Sequence, residues 1–241
     1  MDRLFIDYSS LVHDLEQKGL VTRTFRRLDP QRQTAILNAI LDEAGEQGPA
    51  DINIKRVAER CGAAVGSLYQ YFGSRANLLD FAIELAVRTT VDLFNSFRPY
   101  FIDIPLREAL LYYIQGGLEW TREQRGFAVF FARAAYQGDP TLTKRVVEPI
   151  ATVLTEMMQT ILQGAQKRGE IRPEVDLDAA ARVVNTLVIA FGDAQIFPYL
   201  NAYYQLTGET VSLERSTAAL LDLIEHGLGV EKAHESTGNR P

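Results

Sequence analysis

The sequence predicts an all-α protein in which a short helical unit near the N-terminus precedes a larger helical bundle. Apolar residues recur at helical spacing along most of the 241 residues, and we find no convincing period-2 alternation of the kind that marks a half-buried strand. Breaks that contain glycine and proline, at 138–140 and 169–173, separate the helical stretches. A composition of 46% hydrophobic and 23% charged residues is that of an ordinary globular protein.

Residues 1–28 predict an N-terminal extension made of a helix and a basic arm. The predicted helix has an apolar stripe of Leu4, Tyr8, Leu11 and Leu15 and is ended by Gly19. Arginines follow at positions 23, 26 and 27. Two interpretations of them stay open, a flexible arm that enters a minor groove, as homeodomain arms do, or a solvated linker.

Residues 29–80 predict a compact set of short helices. Asp29 and Pro30 suit the N-cap and the first position of a helix that ends near Gly48. Its inward residues would be Ile36, Leu37, Ile40, Leu41 and Ala44. Asn53 can cap a second helix, which Gly62 ends.

The stretch NIKRVAERCGAAVGSLYQYFGSRANLL, at 53–79, predicts a helix-turn-helix. Two short helices around a glycine turn are the arrangement in which the second helix lies in the major groove of DNA. That second helix, at about 64–72, begins with small residues and continues with hydrogen-bonding side chains, as an approach to base edges requires. Leu68 and Phe72 would face inward, and Ser74 would cap a further helix that reaches toward Pro99.

The same stretch resembles the recognition region of the TetR family of bacterial regulators, which reads approximately V-S-x-G-T-L-Y-x-Y-F and then K-S-K-x-x-L. Here the sequence is A-A-V-G-S-L-Y-Q-Y-F at 63–72 and G-S-R-A-N-L-L at 73–79, and the preceding I-x-x-V-A stands at 54–58. The resemblance covers about fifty residues, from Pro30 to Asp80. It implies a three-helix DNA-binding domain at 29–80.

The resemblance also implies roles for single residues. Ser67 and Tyr69 would contact phosphates or base edges, Gln70 would read a base, and Tyr71 would hydrogen-bond a phosphate. Arg75, where the family often has lysine, would anchor the DNA backbone. Ala64 and Val65 depart from the usual polar residues, although a valine can meet a thymine methyl group. The predicted DNA-binding set is Lys55, Ala64, Val65, Gly66, Ser67, Tyr69, Gln70, Tyr71 and Arg75.

Residues 81–230 predict a helical bundle that the resemblance identifies as a ligand-sensing and dimerisation domain. Helices are expected at 105–122, 126–137, 140–168, 177–205 and 212–228. A concentration of aromatic residues would line a pocket for an apolar or aromatic molecule, unless they only form a close-packed core. These residues are Tyr112, Tyr113, Trp120, Phe127, Phe130, Phe131 and Tyr136.

The last two long helices of the family form a dimer interface, which the resemblance transfers to the final two predicted helices here. Apolar stripes on these helices are the candidates, although such stripes also occur in plain cores. The predicted interface residues are Val184, Leu187, Val188, Phe191, Leu220, Ile224 and Leu228.

Charge and residue types exclude several other classes of protein. A net charge of −6 argues against a protein that coats nucleic acid indiscriminately, but basic residues exceed acidic ones between Thr22 and Arg75. The single cysteine, Cys61, excludes a disulfide within the chain, and we expect neither a metal site nor a cofactor. Because the three histidines lie near the termini and a glycine-rich phosphate loop is missing, we do not expect an enzyme.

The sequence therefore predicts a ligand-responsive repressor that binds a palindromic operator as a homodimer and is released by a small apolar or aromatic molecule. The alternative is a helical protein-interaction module that keeps the helix-turn-helix as a scaffold. The N-terminus lacks the pattern of a signal peptide, and no stretch approaches the roughly 18 apolar residues of a membrane span, so we expect a cytoplasmic protein without a membrane partner. The polar segment 231–241 is expected to be disordered.

Overall fold

The structure, a computed structural model, describes residues 9–230 and confirms an all-α fold. The helices are α1 Ser9–Gln17, α2 Arg23–Arg26, α3 Pro30–Gln47, α4 Ile54–Arg60, α5 Val65–Phe72, α6 Arg75–Phe97, α7 Leu106–Glu123, α8 Arg125–Gln137, α9 Pro140–Leu142, α10 Glu148–Lys167, α11 Leu177–Ile196, α12 Pro198–Tyr204 and α13 Leu213–Leu228. Among the described residues, β-pairing is limited to an isolated bridge between Ile171 and Gly229. Leu4, Tyr8 and the segment 231–241 lie outside the described residues.

Most helix starts are set by local chemistry that the sequence displays. The Asp29 side chain accepts a hydrogen bond from the backbone N–H of Arg32, and the Asn53 side chain accepts one from Lys55. Each bond satisfies one of the backbone donors that the first turn of a helix leaves unpaired. The predicted starts at Asp29 and Asn53 are therefore confirmed.

The first compact unit, unit 1, contains the described residues through Ser96 together with Glu119–Leu154. Its core joins the inward residues of α3 to Leu68, Phe72 and Phe81, and also to Phe127 and Phe130 of α8. Helices α3 and α8 approach so closely that a Cβ on Gly45 would lie 2.8 Å from the Cγ1 atom of Val129. Unit 1 is thus larger than the segment 29–80 that is predicted to bind DNA.

The second compact unit, unit 2, contains Phe97–Leu118 and the described residues from Thr155 onward. Helix α10 passes so close to the backbone near Ile102 that a Cβ on Gly164 would lie 2.3 Å from the Ile102 carbonyl oxygen. The Arg168 guanidinium donates to the carbonyl oxygens of Ile102 and Ile104 at 2.5 and 2.6 Å. Glycine and arginine together fix this segment against α10.

Two helices that the sequence predicts as continuous are interrupted. The helix expected at 177–205 ends at Ile196, since Pro198 lacks a backbone N–H and holds Phe197 in an extended conformation with φ −118° and ψ 109°. The helix expected at 140–168 contains a π-helical turn at Thr143–Val147. Here Arg145 forms an ion pair with Asp80 of α6, with Nη1 and Oδ1 2.5 Å apart.

Candidate nucleic-acid interface

Helices α4 and α5 form the predicted helix-turn-helix around a left-handed glycine. Gly62 has φ +61°, a conformation that side-chain-bearing residues rarely adopt. Cys61 is buried, and Ala64 stands at the N-cap of α5 without a side-chain cap. Because alanine has no side-chain oxygen, the N-cap side chain of α5 accepts no hydrogen bond from the backbone N–H groups of the first turn.

Helix α5 has a buried face and an open face. Leu68 and Phe72 point into the core of unit 1, as predicted. On the other side Tyr69 is 47% exposed, Gln70 and Gly66 are exposed, and Ser67 and Val65 are half-buried. A Cβ added to Gly66 would meet no heavy atom within 4 Å. The open face thus combines small residues with hydrogen-bonding side chains.

Tyr71 is half-buried, and its ring is held by the core. The ring centroids of Tyr71 and Phe25 lie 6.0 Å apart in an edge-on arrangement. The backbone carbonyl of Tyr71 accepts a hydrogen bond from the N–H of Thr22 at 2.8 Å. The N-terminal extension thereby fixes the end of α5 that carries Tyr71.

Arg75 begins α6 at an exposed position and uses part of its guanidinium inside unit 1. Its Nε donates to the carbonyl oxygen of Ile52 at 2.5 Å, and Nη2 donates to that of Ala50. These bonds hold the loop that leads into α4. Because a guanidinium carries five N–H donors, Arg75 keeps donors beyond these two.

A charged cluster that the sequence analysis missed fixes α4 on α3. Glu43 of α3 is fully buried, and its Oε2 accepts a hydrogen bond from Arg60 Nε at 3.3 Å. Its Oε1 lies 3.8 Å from Arg56 Nη1 and has no hydrogen-bond partner. The hydrogen bond from Arg60 to Glu46 raises the pKa of Arg60, with Glu43 adding to the effect. The signal for this cluster was a glutamate on the inward face of an apolar helix.

Arg32 is a second supporting residue that the sequence did not reveal. Its Nη1 donates to the carbonyl oxygen of Cys61 at 2.7 Å, and Nη2 donates to that of Gly62 at 3.2 Å. These carbonyl groups belong to the turn between α4 and α5. Lys55, by contrast, is an exposed residue in the first turn of α4, where the DNA-binding prediction placed it.

The residues predicted to line a ligand pocket fall into both units. Tyr112 and Tyr113 belong to unit 2, and Trp120, Phe127, Phe130, Phe131 and Tyr136 belong to unit 1. Phe127 and Phe130 are buried in the unit 1 core, while Tyr112 and Tyr136 are each 49% exposed. Trp120 stacks on Phe131 with 6.2 Å between centroids.

The two tyrosines of unit 2 differ in their surroundings. The Tyr112 hydroxyl donates to Glu108 Oε1 at 2.7 Å, which raises the pKa of Tyr112. The Tyr113 hydroxyl donates to Asn185 Oδ1 at 3.0 Å, and both residues are buried. Burial raises the pKa of Tyr113 well above its ordinary value. Tyr113 and Asn185 therefore form a buried polar pair.

Most of the predicted interface stripe is already covered within one chain. Val184, Phe191, Leu220 and Ile224 are buried, and Leu187, Val188 and Leu228 are half-buried. The four buried residues have little surface area left for a partner chain to cover. The large apolar residues that are exposed on α11 and α13 are instead Val183, Ile189 and Leu223.

Two properties bear on other classes of protein. Among residues 9–230, no three His, Cys, Asp or Glu side chains are placed to hold a metal ion. Within the same range, no helix is both long and apolar enough to cross a membrane.

Two family models match the chain. One, described as "Bacterial regulatory proteins, tetR family", matches residues 36–81. The other, described as "Tetracyclin repressor-like, C-terminal domain", matches residues 105–190. A comparison with curated proteins gives no significant match.

Several solved structures share the fold at low sequence identity. The complex of SmeT with triclosan has a TM-score of 0.63 at 19% identity, covering 88% of this chain and 98% of that chain. The ketosteroid transcriptional regulator KstR2 of Mycobacterium tuberculosis has a TM-score of 0.60 at 15% identity, with coverage of 85% and 98%. A TetR family transcriptional regulator from Chloroflexus aurantiacus has a TM-score of 0.59 at 19% identity, with coverage of 87% and 99%.

Proposed function

This chain belongs to the TetR family of bacterial transcriptional regulators, and on that premise we propose that it is a repressor that binds a palindromic operator as a homodimer. A small apolar or aromatic molecule would release it. The observation that carries the proposal is the open face of α5, where Gly66, Tyr69 and Gln70 point away from the core of unit 1. As an operator-binding protein it would act in the cytoplasm.

The open face of α5 suits a major groove for a steric and a chemical reason. Small residues at the start of a recognition helix let its backbone approach base edges, and later polar side chains supply hydrogen bonds. We propose that Gln70 reads a base and that Ser67 and Tyr69 contact phosphates or base edges. Arg75, Tyr71 and Lys55 would contribute phosphate contacts, and Ala64 and Val65 would lie against the groove.

A homodimer would place two recognition helices about 34–36 Å apart, on successive major-groove turns of one duplex. The outward faces of α11 and α13 support this assembly, because Val183 is 62% exposed and Leu223 is 65% exposed. We therefore place the centre of the interface on Val183, Ile189 and Leu223. Leu187, Val188 and Leu228 would flank it.

An apolar effector suits the aromatic composition of the helices that follow the DNA-binding segment. The buried Tyr113 and Asn185 would offer polar groups that orient a bound ligand. The SmeT complex with triclosan shows that a chain of this fold holds an aromatic molecule, and KstR2 is described as a ketosteroid regulator. Release requires that the effector bind the DNA-free conformation more tightly than the DNA-bound one.

Footprinting on the DNA that flanks the protein's own gene tests the proposal. We expect a protected, two-fold symmetric site at low salt, and loss of protection when an extract containing the effector is added. Gln70→Ala should change which sequence variants of the site are preferred. Lys144→Ala, at a surface lysine outside the helix-turn-helix, serves as the control. Absence of any footprint at low salt would refute the proposal and favour a protein-interaction module.

A further inference from the structure

The segment expected to be a flexible basic arm or a solvated linker is folded. Residues 23–26 form α2, and Phe25 is buried between the rings of Tyr71, Phe72 and Phe81. The centroid of Phe25 lies 5.2 Å from those of both Phe72 and Phe81. Both interpretations of the sequence were therefore wrong here, because Phe25 supplies an apolar anchor that neither took into account.

Helix α2 is attached directly to the recognition helix. Thr22, its N-cap, donates its backbone N–H to the carbonyl oxygen of Tyr71 at 2.8 Å and its hydroxyl to that of Gln70 at 2.8 Å. These are two of the carbonyl groups that the last turn of α5 leaves without helical partners. Arg23 follows Thr22 directly, so its backbone lies beside the end of α5.

Helix α1 and the loop after it are fixed on α6 in the same unit. Lys18 Nζ lies 2.7 Å from Glu84 Oε2, and Arg88 Nη2 lies 3.0 Å from Asp14 Oδ2. Asn77 donates its side-chain N–H to the carbonyl oxygen of Gly19 at 3.3 Å. Residues 9–28 are therefore an ordered part of unit 1, attached to both α5 and α6.

The three arginines of this segment have different surroundings. Arg26 is half-buried and forms an ion pair with Glu16 of α1. Arg23 and Arg27 are exposed and form no ion pair with any residue from 9 to 230. Since they are four residues apart in helical backbone, they project from the same side of α2. The extension thus holds two uncompensated positive charges next to the recognition helix.

We propose that α2 and its C-cap residue Arg27 form a second DNA-contacting element, in which Arg23 and Arg27 donate hydrogen bonds to operator phosphates next to the groove that α5 enters. This inference rests on the proposed function. Duplex DNA is the occupant that fits, because Arg23 directly follows Thr22, which is bonded to the end of α5, and a guanidinium pairs with phosphate through two parallel hydrogen bonds. The helix is already ordered, so binding pays no cost of folding an arm.

Measuring operator affinity at several salt concentrations tests the inference. The double variant Arg23→Gln and Arg27→Gln should lower the slope of log K against log salt by roughly 0.9 for each phosphate that an arginine no longer neutralises. The preference for operator over random DNA should stay within about twofold, because phosphates carry no sequence information. Arg122→Gln removes one exposed charge from the same unit and should leave the slope unchanged, as the matched control.

The outcomes separate this inference from the proposed function. Because Arg23 and Arg27 are exposed, the double variant should unfold at the temperature of the wild type, which a thermal melt checks. If the wild type protects an operator and the double variant keeps the full salt slope, α2 does not contact phosphates and the inference is wrong. If the wild type protects no operator, the proposed function itself fails.

Discussion

Replacing Gly66 by alanine should stabilise the protein and at the same time weaken its binding to DNA. Gly66 lies in the first turn of α5, and its φ is outside the left-handed region that favours glycine. A Cβ there would meet no heavy atom of the protein within 4 Å. Neither backbone strain nor packing within unit 1 therefore explains glycine at this position, which leaves a close approach by another molecule.

The expected magnitudes have opposite signs. Alanine restricts the unfolded chain and favours helix, so the free energy of unfolding should rise by about 0.4–1 kcal/mol. For a chain of this size the melting temperature should rise by about 1–4 °C. A methyl group between α5 and the groove should displace one well-formed contact, at a cost of about 1–3 kcal/mol. Operator affinity should therefore fall by about 5- to 150-fold.

Thermal unfolding and a gel-shift titration on the protected operator measure the two effects separately. Gly116→Ala is the matched control, because Gly116 is also an exposed helical glycine with no heavy atom within 4 Å of an added Cβ. It should raise stability by a similar amount and leave DNA affinity unchanged. A Gly66→Ala protein that is more stable and binds its operator as tightly as the wild type would refute the close-approach explanation.

Three further substitutions test the rest of the structure. Tyr113→Phe leaves Asn185 Oδ1 without its buried donor and should cost about 1–3 kcal/mol in urea unfolding at neutral pH. Burial raises the pKa of Tyr113 above its ordinary 10.0, so the unfolded chain loses this proton at a lower pH than the folded one. Wild-type stability should therefore fall as pH rises above 10. An equally steep fall of stability with pH in Tyr113→Phe would contradict this. Leu223→Glu should dissociate the proposed homodimer in sedimentation experiments without lowering the melting temperature of the protomer. Arg60→Ala removes the hydrogen-bond donor of buried Glu43 and should cost about 1.5–3 kcal/mol, a loss that the additional change Glu43→Leu should reduce.

Features fixed by neighbouring residues were predictable from the sequence. The caps at Asp29 and Asn53 and the glycine turn at Gly62 are local, and the structure has all of them where the pattern indicates. The signal at Pro198 was also local but was overlooked, although a proline forbids the hydrogen bond that a continuous helix needs there.

Features that depend on distant residues were not predictable in the same way. Helical periodicity shows that Val184 and Leu220 each lie on the apolar face of their helix. It does not show whether that face is buried by the same chain or by a second chain. In the structure both side chains are buried within the single chain. The role of Arg32 has no local signal in the sequence, because its acceptors at Cys61 and Gly62 lie 29 and 30 positions away along the chain.

The close packing of α3 and α8 limits how far the DNA-binding segment can be treated as a transplantable module. Gly126 brings α8 against Leu41, with 3.2 Å from an added Cβ to the Leu41 side chain, and Arg133 donates to the carbonyl oxygen of Gly45 at 2.9 Å. A fragment that stopped at residue 80 would leave this side of α3 in contact with water. Chimaeras that exchange operator specificity between regulators should therefore carry α8 along with the first eighty residues.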